Sequence, residues 1–90
     1  NPTHYSIALF YEVGGHAPKV IAKGVDELAL RMREVAKNND IPIVENRPLA
    51  RTLYSIVSVD DVIPPKLYKV VSEVIRYVFA IKGVKVPKKR

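Results

Sequence analysis

Ninety residues, 48% of them hydrophobic, with a formal net charge of +6, suit one small domain with a single core rather than a disordered segment. The absence of cysteine excludes disulfide stapling, thiolate metal sites and a cysteine nucleophile, and no apolar run approaches the ~18 residues of a membrane span. Lys82, Lys85, Lys88, Lys89 and Arg90 are five of the fifteen basic residues, which leaves ten basic against nine acidic groups in the rest of the chain; a nearly neutral body with a basic end argues against nucleic-acid binding, which calls for a basic face on the fold itself.

The chain opens on Asn1-Pro2-Thr3-His4. Asn-Pro ordinarily marks a turn, but it also selects a reaction. The common decay of Asn needs the next backbone N–H to attack the side-chain amide, and Pro2 has none. What remains is attack by the Asn1 side-chain nitrogen on Asn1's own carbonyl carbon, which expels the Pro2 nitrogen and leaves a cyclic imide. Imidazole exchanges protons near neutral pH, so His4 would take the amide proton or deliver one to the leaving nitrogen. Thr3 would orient the scissile carbonyl or His4. Asn1, Pro2, Thr3 and His4 are therefore the candidate catalytic residues. The plainer alternative is a loop entering a strand, with His4 bonded to a carbonyl; the tetrapeptide alone favours that alternative.

Alternation of Tyr5, Ile7, Leu9 and Tyr11 against His4, Ser6, Ala8 and Phe10 predicts a strand over residues 4–11. Gly14-Gly15 and Pro18 form a turn, and Lys19–Lys23 is expected to be a short antiparallel strand ended by Gly24. A helix is predicted from Asp26 to Asn38, with an apolar stripe of Leu28, Met32, Val35 and Ala36, acids in its first turn and Lys37 in its last. Ile41–Val44, apolar without alternation, reads as a strand covered on both faces and parallel to the second, through a right-handed crossover. Asn46 is a credible cap for a second helix with Pro48 in its first turn and Leu49, Leu53, Ile56 and Val57 inward. A connector closed by Pro64-Pro65 leads to a third helix ending near Lys82, with Leu67, Val70, Val71, Val74, Val78 and Ile81 inward and Gly83 as its stop.

The expected class is α/β: a small mixed sheet of about four strands flanked by three or four helices. Three strands are thin cover for this core, so the fourth is expected from residues preceding Asn1. Residues 1–83 form the domain, and 84–90 a flexible basic tail. No metal or cofactor is expected, since His4 and His16 lie far apart in the sequence and have no ligand-spaced neighbours. Ala17, Pro18, Pro48, Leu49 and Arg51 are candidate docking residues, apolar or charged groups at loop positions; Leu49 reads more readily as core, and Pro48 as a helix starter.

Several segments taken together, NPTHY at 1–5, APKVIAKG at 17–24, ENRPLAR at 45–51 and IPPKLY at 63–68, resemble the FlhB/YscU family of export-apparatus switch proteins of type III secretion, in its flagellar branch. The resemblance implies a domain on the cytoplasmic face of the bacterial inner membrane. It implies self-cleavage between Asn1 and Pro2, with the two pieces held in one sheet, one turnover per molecule and no enzyme in the multiple-turnover sense. It further implies a switch from rod and hook to filament substrates, with the upstream fragment, export substrates, a hook-length control protein and other cytoplasmic export components as partners and no nucleic acid. A non-catalytic docking module of the same apparatus is the alternative, followed by a nucleic-acid-binding domain.

Overall fold

The computed structural model describes residues 3–83. Strands β1 (Tyr5–Phe10) and β2 (Lys19–Val25) form an antiparallel hairpin, followed by α1 (Asp26–Asn38), α2 (Arg47–Ile56), a single 3-10 turn at Pro65–Leu67 and α3 (Tyr68–Ile81). The class is mixed α/β as expected, but the sheet has two strands among the described residues, not about four. The tail at 84–90 and the first two residues lie outside the described residues.

The two faces of the hairpin carry different residues. Pairing sets Ser6 against Gly24 and Ala8 against Ala22, a patch of small side chains that lets α1 approach. A Cβ on Gly24 would stand 2.8 Å from Leu28 Cγ, 2.9 Å from Met32 Sδ and 3.2 Å from the Ala29 backbone nitrogen. Gly24 therefore stays inside β2 as a packing residue rather than ending the strand, as the sequence suggested. Ala29 is fully buried in this contact, and Ser6 Oγ donates to the Ala29 carbonyl at 2.8 Å.

The opposite face carries the core: Val20, Leu53, Val57, Ile63 and Val71, with Ile7, Leu9, Leu49 and Val70 packed around it. Val20 reaches that face because the register slips between Ala8 and Leu9, leaving Ile21 without a partner. The bulge resets the alternation. Without it, Val20 would share the face of Ala22 and Gly24. Lys23, also on the core face, donates from Nζ to the carbonyls of Tyr54 (3.0 Å) and Val57 (3.1 Å), and its ammonium lies 5.0 Å from the centre of the Tyr54 ring. It thus satisfies carbonyls at the end of α2, where a cation is favoured.

Ile41–Val44 forms no strand, and the parallel β-α-β unit is absent. The position beside β2 is taken by the connector: Val20 N–H donates to Asp61 O (3.0 Å), Asp60 N–H to Val20 O (2.7 Å) and Ile63 N–H to Pro18 O (2.8 Å), with an antiparallel bridge between Lys19 and Val62. Asp60, at φ 76°, makes the turn that allows this. The start of the second helix follows its sequence signals, with Asn46 Oδ1 accepting from Leu49 N–H at 3.1 Å and Pro48 in the first turn, but Ile56 at its end is exposed rather than inward. The third helix is α-helical only from Tyr68, and Ile81 is exposed at its end rather than inward.

Candidate functional site

Among the described residues β1 has one paired edge. Along the other runs a groove of about 800 Å³ whose walls come from every layer of the fold. Leu28, Met32, Val35 and Ala36 of α1, Val74, Val78 and Phe79 of α3, and Ile41–Val44 all contribute to its lining. The apolar stripe of α1 therefore faces this groove rather than the core. Leu28 is 54% exposed, Val35 56% and Ile41 55%. Such a contiguous apolar surface beside a strand edge unpaired among the described residues is suited to receive another chain segment. An inserted strand would find the N–H and C=O groups of β1 on one side and apolar residues above and below.

His4 enters β1 at the mouth of this groove and is half-buried, whereas Thr3 is exposed. The His4 backbone is held twice by one residue. Its N–H donates to Asp26 Oδ1 at 3.2 Å, and its carbonyl accepts from Asp26 N–H at 2.8 Å. Asp26 sits at φ 51°, a left-handed conformation that Asp adopts more readily than most residues. In the sequence Asp26 reads only as an acid favoured by the dipole of α1; an acid at a strand-to-helix junction was the available signal, but its partner lies too far along the chain to be paired by periodicity. Asn1 and Pro2 lie outside the described residues, so the four candidate catalytic residues are represented by Thr3 and His4.

The docking candidates separate. Pro18 is buried, and its carbonyl ties the hairpin to Ile63, so it is not an exposed docking point. Ala17 beside it is half-buried. Leu49 packs against the core, while Pro48 and Arg51 are exposed at the start of α2. Among the described residues no three His, Asp or Glu side chains are grouped to hold a metal ion, and no helix is long and apolar enough to cross a membrane.

A small α/β domain whose sheet is left open along one edge is the class of scaffold that fold and groove define. The chain belongs to the family described as FlhB HrpN YscU SpaS, which matches residues 1–78. The flagellar biosynthetic protein FlhB of Bacillus subtilis (strain 168) is 52% identical over 83 residues, covering 91% of this chain and 23% of that protein. The chain thus spans less than a quarter of that curated relative. The cytoplasmic domain of FlhB from Shewanella putrefaciens superposes with a TM-score of 0.81 at 42% identity, covering 96% of this chain and 71% of that one. The PscU C-terminal domain gives 0.80 at 40% identity, covering 84% and 98%.

Proposed function

We propose that this is the cytoplasmic domain of a flagellar protein-export component at the bacterial inner membrane, and that it cleaves itself once at Asn1-Pro2. The carrying observation is the edge of β1 that is unpaired among the described residues, open on an apolar groove and continuous in sequence with the Asn-Pro-Thr-His segment. A strand preceding Asn1 fills the groove and doubles back through that turn into β1, which holds the turn tight before cleavage and holds both pieces afterwards. In the reaction the Asn1 Nδ2–carbonyl carbon bond forms and the carbonyl carbon–Pro2 nitrogen bond breaks. One amide proton leaves Nδ2 and one proton reaches the Pro2 nitrogen, so no water is consumed. His4 handles one or both protons, and Thr3 orients the turn. Cleavage frees the turn and alters the surface read by export substrates, which underlies a change from rod and hook to filament substrates together with a hook-length control protein. Pro48 and Arg51 are the accessible members of the docking surface, with Ala17 at its margin.

Mass spectrometry of a longer chain carrying the native residues before Asn1 tests this. Wild type gives two fragments split at Asn1-Pro2; Asn1→Ala gives none; Asn1→Asp, lacking the nucleophilic nitrogen, cuts far more slowly; and His4→Ala slows cleavage by about 100-fold or more, as expected for loss of a general acid or base. Cleavage that survives Asn1→Ala refutes the cyclisation. A purely docking role is the second reading, favoured by the exposed Phe10 and Val13 flanking the hairpin turn; it requires that uncleaved Asn1→Ala protein bind and select export substrates as wild type does.

A further inference from the structure

We propose that Asp26 is the positioning residue of the cleavage turn, acting through the backbone of His4; the inference rests on the self-cleavage reading above. The two hydrogen bonds between these residues engage the two peptide planes that flank His4. The His4 N–H, 3.2 Å from Asp26 Oδ1, belongs to the Thr3–His4 peptide, and the His4 carbonyl, 2.8 Å from Asp26 N, belongs to the His4–Tyr5 peptide. Holding both planes fixes φ and ψ of His4 together and, with them, the direction of its Cα–Cβ bond. The imidazole keeps only its side-chain torsions, and the strand-side end of the turn is anchored one peptide plane beyond Pro2–Thr3. A cyclisation whose nucleophile and electrophile lie in the same residue depends on such anchoring, because its rate is set by how often the peptide presents the attack geometry.

Two further observations separate this contact from ordinary helix capping. α1 starts at Asp26 with Val25 as its N-cap residue and no side-chain hydrogen bond capping its first turn. The Asp26 carboxylate, in the first turn, reaches instead across to His4. Asp26 also holds φ at 51°, a left-handed conformation that is unfavourable for a residue with a Cβ. That conformation is what brings its own N–H and its carboxylate to the same neighbour.

The experiment measures the cleavage rate at Asn1-Pro2 in the longer chain for wild type, Asp26→Gly and Asp26→Asn, with Asn39→Ala as control and thermal unfolding of each. Glycine keeps the positive φ and loses the acceptor, and asparagine keeps both. Asn39 donates from Nδ2 to the Val35 carbonyl at the far end of α1, so its loss weakens the same helix without touching the turn. Asp26→Gly is expected to slow cleavage about tenfold, as loss of one positioning hydrogen bond implies, with Tm within about 3 °C of wild type. Asp26→Asn is expected to cut within about twofold of wild type, and Asn39→Ala at the wild-type rate. Asp26→Gly cutting as fast as wild type, Asp26→Asn as slow as Asp26→Gly, or Asn39→Ala slowed equally overturns the positioning role and leaves self-cleavage standing. Wild type that stays intact, or Asn1→Ala that still cuts, overturns self-cleavage itself.

Discussion

The two sides of the β1–β2 hairpin show the same composition put to different use. On the core side Val20, Leu53, Val57, Ile63 and Val71 are each at most 3% exposed. Along the free edge of β1, residues of the same types, Leu28, Val35, Ile41 and Ile43, are all at least 40% exposed. Both sets are apolar and both lie on or beside regular elements, so hydrophobicity alone does not tell them apart. The difference lies in partners: the core side is closed by α2, α3 and the connector, whereas the groove side has walls and, among the described residues, no filling. One half of the molecule is a finished interior, and the other is half of an interior.

Substitutions on the two sides should therefore diverge. The largest effect is expected for Leu53→Ala, at about 2–5 kcal/mol lost in urea unfolding of the isolated domain. Gly24→Ala drives a methyl toward the Ala29 backbone and is expected to cost about 1–3 kcal/mol, with the cost shown by Tm; a small effect would mean that α1 shifts freely on the hairpin. Asn46→Ala removes the cap of α2 and should cost about 1 kcal/mol by the same measurement. Val35→Ser, on the groove side, should change the stability of the isolated domain by less than about 0.5 kcal/mol, while in the longer chain, with the groove filled, it should cost more than about 1 kcal/mol. Equal costs in both contexts would erase the distinction between the two sides.

Local signals in the sequence are reliable here. The bounds of α1, the Asn46 cap and the hairpin all follow from neighbouring residues. What depends on distant partners is not legible. Ile41–Val44 has a strand's composition but no ladder, because the place beside β2 goes to Asp60–Ile63, a mixed polar and apolar stretch whose positive-φ turn no periodicity announces. The bulge at Ile21 is likewise invisible to a pattern of period two, although it decides that Val20 enters the core. In the candidate site, the cyclisation proposed for Asn-Pro rests on two adjacent residues that lie outside the described residues. The Asp26–His4 clamp joins residues 22 apart and appears only once α1 packs on β1. The stripe on α1 is legible as a stripe, but its spacing does not say which interior it faces.

If the domain cleaves itself as proposed, the edge of β1 left unpaired among the described residues also sets the molecularity of the cleaved state. While the chain through Asn1 is whole, a strand entering the groove is tethered, and its local concentration is fixed by a turn a few residues long, in the millimolar range. Were the bond to break, the same contacts would define a dissociation constant between two separate chains. Retention then depends on dilution, denaturant and mechanical load, in a way that the uncut domain does not.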